Sequence, residues 1–396
     1  MKNILIGILC LCLLLSMAGC ANIHNSTQGT DVTTDHTNST GDVHVAQKPM
    51  VAVSVPVITE SETATDGTVI FNHTYQNISL VVPDPNVADK VILDFLNRTD
   101  INEYAESIRF NAEQAYNEGI ITFSPYLAQI TYDPVRIDHG VLSMYGCYAT
   151  YSGAAHAEYI YRSVNYDLVT GSVLLLENIF SNLANPDLIC QLVLDDLTAQ
   201  KESSEESLFA GFETTVNDLF DSNFLQNTNW FFSNTGLCFF FSPYEIGPFS
   251  SGDIVAEIPY SKLTGILNDA YFPAERETVF GVIKAETFDE TALDGFSQLA
   301  EVIINKDSEK VLLYTDTSVY DIRIEAGAWS ADGTVFTPNQ TVFAAYRLTP
   351  GDAIMIDSSL SNTLPTLRLS YTAKDKTVSY MIGFNVTENK VTLTQR

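Results

Sequence analysis

Positive charge is scarce in this 396-residue chain. It has 20 lysines and arginines against 49 aspartates and glutamates, so its formal net charge is −29. Such a field repels nucleic acid and anionic lipid, and it favours cationic partners at low salt. We therefore expect no nucleic-acid partner. The charge alone names no ligand, because acidic surfaces also keep proteins soluble.

Cysteine is also scarce, and half of it lies in the first twenty residues. Only Cys147, Cys190 and Cys238 remain for a folded body. No CxxC pair and no Cys/His spacing typical of a zinc site is present. Two states stay open: three buried thiols, or one disulfide beside a free thiol. Motifs of the GxSxG, phosphate-loop and EF-hand types are missing as well, so we expect neither a metal nor a cofactor.

Long apolar runs are missing after residue 20, and the one at the start has the features of an export signal. Ile4–Leu15 follows Lys2 and is too short to span a bilayer as a lone helix. Ser16-Met17-Ala18-Gly19-Cys20 then resembles a lipobox, with Met17 in the place of the usual leucine. An ordinary signal peptide is the alternative. We predict a signal peptide over 1–19 and lipid on Cys20, which would hold the chain on the outer face of the cytoplasmic membrane of a Gram-positive bacterium.

The segment after Cys20 is polar. Residues 21–66 are rich in Thr, Ser, Asn, Asp and Gly, with a short apolar stretch at Val51–Ile58. Such a composition buries too little surface to offset its ordering entropy. We predict a disordered tether over residues 20–66.

Three regions follow, and together they predict an α+β fold. Residues 67–136 show two strand patterns and then two helices, the first opened by Asp84 and Pro85 and the second carrying Tyr104, Ile108, Ala112 and Ala115 on one stripe. Residues 137–272 show a hairpin with its turn at 169–171, helices, and an aromatic hairpin with its turn at 233–236. Residues 273–396 are almost entirely strand-like. We expect a two-part body of strands and packed helices followed by an all-β, sandwich-like domain.

Several motifs in the middle region occur in a fixed order. They are Tyr151-Ser152-Gly153-Ala154-Ala155-His156, Asn165-Tyr166-Asp167-Leu168, Asn234-Thr235-Gly236-Leu237, Phe241-Ser242-Pro243-Tyr244-Glu245-Ile246-Gly247-Pro248 and Ile258-Pro259-Tyr260. Together they resemble the extracytoplasmic domain of unknown function shared by lysozyme-sensing V-type anti-sigma factors and some peptidoglycan deacetylases of Gram-positive bacteria. The resemblance covers residues 67–272, including the partner domain that usually precedes it. Ala154 stands where that family tends to have a second glycine.

The resemblance implies accessory modules without the chemistry of those relatives. An anti-sigma factor needs a cytoplasmic sigma-binding segment and a transmembrane helix, and neither pattern is found. A deacetylase needs a metal-binding catalytic domain with Asp and His ligands, whereas residues 273–396 contain no histidine. The expected function is a non-enzymatic binding module.

Two places in the middle region carry candidate site residues. His156 follows a small-residue stretch, and Tyr166 and Asp167 come near it in a paired-strand interpretation, so a His/Asp pair could do acid and base work. The structural alternative is that His156 only pins its loop. Tyr244 and Glu245 lie in a loop bounded by Gly247, which suits either a recognition surface or a buried corner that ties strand to helix.

Two hypotheses of different class follow. The first is a lipid-anchored, non-enzymatic binding module at the cell envelope that recognises a wall glycan or a cationic protein such as lysozyme. The second is a peptidoglycan-modifying hydrolase that uses His156 and Asp167. The second requires the imidazole and the carboxylate to meet in a cleft.

Overall fold

The structure, a computed structural model, describes residues 49–100, 102–120, 124–181, 185–203, 207–220, 224–305, 309–360 and 366–395. The predicted signal peptide, Cys20 and residues 21–48 of the predicted tether lie outside these residues. The described residues belong to one compact unit. None of their helices is both long and apolar enough to cross a bilayer.

Strands predominate among the described elements. In chain order they are β1 Ala52–Ser54, β2 Val57–Thr63, β3 Val69–Gln76, β4 Ser79–Val81, β5 Tyr126–Ile137, β6 Val141–Tyr151, β7 Glu158–Asp167, β8 Ser172–Val173, β9 Asn229–Phe232, β10 Gly236–Phe241, β11 Ile254–Pro259, β12 Ile283–Thr287, β13 Gln298–Ile303, β14 Glu309–Thr315, β15 Val319–Trp329, β16 Phe336–Leu348, β17 Asp352–Ser358, β18 Leu367–Ala373, β19 Lys376–Asn385 and β20 Lys390–Gln395. The helices are α1 Pro85–Arg98, α2 Asn102–Asn117, α3 Leu176–Ile179, α4 Pro186–Ser203, α5 Phe212–Leu219 and α6 Phe224–Asn227.

A central sheet in the order β2-β3-β5-β6-β7-β8 carries α1 and α2 on one face. β3 and β5 are parallel, and the helices form the crossover between them. α1 begins as its sequence predicts, because the Asp84 carboxylate accepts from Asn86 N at 2.9 Å and Pro85 occupies the first turn. Ile108 and Ala112 of α2 are buried, but Tyr104 is 49% exposed. The predicted stripe therefore stops short of the first turn of α2.

A second core lies beside the central sheet. β9, β10 and β11 form a small antiparallel sheet that packs with α3, α4 and α5, and the hairpin of β9 and β10 turns at residues 233–236 as expected. Arg136 at the end of β5 joins this part to the central sheet. Its Nη1 donates to Tyr260 Oη and to Tyr271 O, both at 2.7 Å.

Arg136 is only 1% exposed and is balanced by one carboxylate. Its Nε donates to Asp138 Oδ2 at 2.8 Å, and its Nη2 lies 2.7 Å from the same oxygen, an ionic contact without hydrogen-bond geometry. Asp138 Oδ1 accepts from Gly140 N and Val141 N, which holds the turn between β5 and β6. A buried cation thus depends on a carboxylate that is itself fixed by backbone donors.

The last region is a sandwich of two sheets. A sheet in the order β12-β14-β17-β13 faces a second one in the order β20-β19-β18-β15-β16-β1-β4, and apolar residues of both faces form one core. The predicted fold class, an α+β body followed by a sandwich-like all-β domain, is confirmed.

The predicted tether boundary at residue 66 is wrong, because β1 and β2 precede it. Met50 and Ala52 face the sandwich core, whereas Val51, Val53 and Val55 face the core of the central sheet. β1 pairs with β16, with Ala52 opposite Ala345, and with β4 on its other edge. The apolar Val51–Ile58 stretch is therefore structural.

The predicted boundary between residues 136 and 137 also falls inside a folded element. β5 ends at Ile137 and pairs with β6 along most of its length, because both strands share one apolar face under α1 and α2. The strands β2, β3 and β5 to β8 thus form one sheet that crosses this boundary. The remainder of the predicted 137–272 domain forms the second core.

Candidate functional site

The loop between β6 and β7 places His156 on the surface. Its backbone is tied to β5, because Gly153 has φ +87° and a side chain there would meet Tyr126 Oη at 2.7 Å. Ala154 needs no such conformation, so the second glycine of the resembling family is dispensable here. His156 Nδ1 lies 2.9 Å from Ala157 O, and the ring is exposed. The imidazole thus helps to fix its own loop.

The loop after β10 is a constrained corner with one exposed ring. Ser242 N donates to Glu245 Oε2 at 2.8 Å, and Tyr244 N donates to Gly247 O at 3.0 Å. Burial raises the pKa of Glu245 above its ordinary value. Tyr244 has φ +71° and is 62% exposed. Glu245 therefore ties the corner, as the buried-corner alternative expected, whereas the Tyr244 side chain is exposed to solvent.

These two loops meet at Phe249. The ring centroid of Phe249 lies 4.3 Å from that of His156, 5.7 Å from that of Tyr244 and 6.1 Å from that of Tyr159. Tyr159 is 42% exposed, whereas Phe249 is half-buried and supports the others. We call His156, Tyr159, Tyr244 and Phe249 the aromatic patch. Tyr244 keeps its ring outward at the cost of a backbone conformation that non-glycine residues rarely adopt, and such strain gathers at functional sites.

Tyr166 and Asp167 lie away from this patch, and the proposed His/Asp pair is not formed. His156 precedes β7 and Asp167 ends it, so the ten-residue strand separates them by roughly 30 Å. Asp167 Oδ1 accepts from Val169 N and Thr170 N at 2.7 and 3.1 Å, which caps the turn to β8. Tyr166 is buried, and its hydroxyl donates to Asp94 Oδ2 at 3.0 Å. Burial raises its pKa. The hydrolase hypothesis thereby loses its geometric basis.

Residues 177–261 match a family model described as "Protein of unknown function (DUF3298)". This segment resembles DUF3298. The expected resemblance to a domain of unknown function is thus confirmed. Two solved structures are similar. A DUF3298 family member from Bacteroides fragilis NCTC 9343 is 18% identical with a TM-score of 0.43, over 56% of this chain and 96% of that one. A DUF3298 family protein from Pseudomonas aeruginosa PAO1 is 18% identical with a TM-score of 0.37, over 56% and 97%. No curated protein matches the chain.

The segment that matches DUF3298 contains only part of the aromatic patch. Tyr244 and Phe249 lie within the matched residues, whereas His156 and Tyr159 come from the central sheet that precedes them. Sequence reasoning identified His156 and Tyr244 separately and missed Tyr159 and Phe249. The available signal was the Gly247-Pro248-Phe249 sequence, which places an aromatic directly after a constrained turn.

The remaining features to consider are metal-binding clusters and the three cysteines. In the described part of the chain, no group of three or more His, Cys, Asp or Glu could hold a metal ion. Cys147, Cys190 and Cys238 are free thiols, so the disulfide alternative is wrong; Cys190 and Cys238 are buried as the other alternative expected, whereas Cys147 is half-buried. Burial raises the pKa of Cys147 to about 11 and that of Cys238 to about 12.

Proposed function

We propose that the chain is an extracytoplasmic lipoprotein, anchored through Cys20, that acts as a non-enzymatic binding module at the cell envelope. The observation that carries the proposal is the aromatic patch, in which His156 and Tyr244 on two loops and Tyr159 at the start of β7 expose their rings around the half-buried Phe249. Exposed aromatic residues on constrained loops are typical anchors of protein interfaces. The Cys20 anchor rests on the lipobox alone.

The partner we propose is a cationic protein of the lysozyme type. The chain as a whole carries a net charge of −29. Such a field steers a basic partner towards the surface and raises the association rate at low salt. The aromatic rings would then supply contact area with little loss of side-chain entropy. Charge and patch together favour a basic protein over a neutral wall glycan.

The test is a titration of the unlipidated mature chain, residues 21–396, with lysozyme and separately with muropeptides, each at two salt concentrations. We expect lysozyme to bind, more weakly at the higher salt. Tyr244→Asn removes the ring but suits the left-handed backbone, so folding should persist. If the patch is the anchor, this change should weaken binding by about tenfold or more.

Phe110→Ala is the matched control, because Phe110 is an aromatic on α2 that is 57% exposed and lies outside the patch. It should leave lysozyme binding unchanged. If the chain binds muropeptides but not lysozyme, and Tyr244→Asn abolishes that binding, the patch is a binding site but its partner is a wall component instead of a cationic protein. Failure to bind either ligand would reject the proposal.

A further inference from the structure

The opposite face of β7 holds a second surface feature, a groove between the central sheet and the start of α2. Its volume is about 570 Å³, a size that suits one or two sugar rings. It is lined by Tyr104, Ser107, Tyr148, Thr150, Ile160 and Arg162, with Asp100 at one end. Side chains alternate along a strand, so Ile160 and Arg162 lie on the other face from Tyr159 of the aromatic patch. The groove is therefore separate from the patch.

Arg162 is the cation of this groove. Its Cζ lies 5.1 Å from the centre of the Tyr148 ring, and the Tyr148 hydroxyl donates to Arg98 O at 2.9 Å, which fixes that ring. Among the described residues, Arg162 has no carboxylate within ion-pair distance, whereas Arg98 and Arg109 on the neighbouring helices are each paired with an acid. Asp100 is already engaged, because its Oδ1 accepts from Asn102 N at 3.0 Å.

The other lining groups provide apolar faces and hydroxyls. Tyr104 is 49% exposed and Ile160 is 50% exposed, so the groove presents apolar surface from both of its sides. Ser107 and Thr150 add hydroxyl groups that can donate or accept. A ligand that fits this set has a flat apolar side, several hydroxyls and one negative charge.

We propose that this groove binds a saccharide that carries a carboxylate. Arg162 takes the carboxylate with two parallel N–H donors, because a planar guanidinium matches the geometry of a carboxylate. Tyr104 and Tyr148 contact the C–H faces of the sugar ring, and the hydroxyls of Ser107 and Thr150 bind its rim. Most of the surface of this acidic chain repels anions. Arg162 has no acidic partner, so it provides a local positive charge that attracts an anionic group to the groove.

The test uses two disaccharides that differ by one group. N-acetylglucosaminyl-N-acetylmuramic acid carries a lactyl carboxylate, and N,N′-diacetylchitobiose is its neutral counterpart. Each is titrated into the unlipidated mature chain by calorimetry or by NMR. We expect the acidic disaccharide to bind at least about tenfold more tightly than the neutral one, as a charge-assisted hydrogen-bond pair should provide. An acetylated D-alanyl-D-alanine arm tests whether a peptide carboxylate is enough.

Variants assign the effect to the groove. Arg162→Gln should remove the preference for the acidic disaccharide, and Arg162→Lys should keep part of it, because lysine is a point charge without the fork. Lys262→Gln, at another exposed cation, is the matched control and should change nothing. Equal binding of the two disaccharides, binding of neither, tighter binding of the dipeptide, or an unaltered preference in Arg162→Gln would each overturn the proposal. Tyr244→Asn should leave the preference intact, which separates this outcome from the lysozyme titration.

Discussion

Asp138→Asn should destabilise the fold strongly although it alters few atoms. The amide keeps one oxygen for Gly140 N and Val141 N, so the turn between β5 and β6 survives, but Arg136 loses its counter-charge inside the protein. Breaking a buried pair typically costs about 3 to 5 kcal/mol. Arg136 keeps its bonds to Tyr260 and Tyr271, so we expect the lower end, about 3 kcal/mol.

Urea denaturation followed by circular dichroism measures this loss. At about 2 °C per kcal/mol for a large domain, the melting temperature should fall by roughly 6 °C. Asp316→Asn is the matched control, because it removes the acid of the surface pair with Lys284, in which the Asp316 side chain is 67% exposed. Such pairs contribute about 0 to 1 kcal/mol. If the two variants lose the same stability, the pair at Arg136 does not hold the two cores together as argued.

Three further predictions concern pH, thiols and the start of the fold. Burial raises the pKa of Asp133 and of Glu245 above that in the unfolded chain, so their protonation favours the folded state, and the melting temperature should rise as the pH falls from neutral through these raised pKa values. Glu245→Gln should flatten that rise, and a fall in its place would contradict the sign. Cys147 has a pKa of about 11, so a thiol reagent at pH 7.5 should react slowly with the folded chain and rapidly in urea. Equal rates would show an accessible thiolate. A chain that begins at residue 67 loses β1 and β2 and should fail to give a cooperative melt, whereas one that begins at residue 49 should melt cooperatively.

Local patterns predicted much of the fold. The cap at Asp84 and Pro85 and the turns at residues 169–171 and 233–236 depend on residues that are neighbours in sequence. The placement of β1 depends on Ala345, almost 300 residues later, and no local pattern encodes such a pairing. The Val51–Ile58 stretch shows that something there is buried, but it does not say against what.

The sequence predicted individual residues of the site but not their arrangement, because the arrangement also depends on contacts between distant parts of the chain. His156 and Tyr244 each lie in a loop with a small-residue or glycine signal, and those signals are local. Their meeting at Phe249 depends on how the small sheet of β9 to β11 packs against the central sheet. Spacing also misplaced Tyr104, since it continues the helical stripe but lies in the first turn of α2, where it lines the groove with Arg162.

The position of β1 also determines when during synthesis the sandwich can fold. A ribosome makes residue 52 long before residue 345, so the first strand must wait with one edge unpaired until β16 has been made. Pairings between distant parts of a chain are slow, and unpaired strand edges invite aggregation while they wait. We therefore expect the native sandwich to close only after synthesis is nearly complete, and a factor that shields Val51 and Val53 during that interval should raise the yield of folded protein.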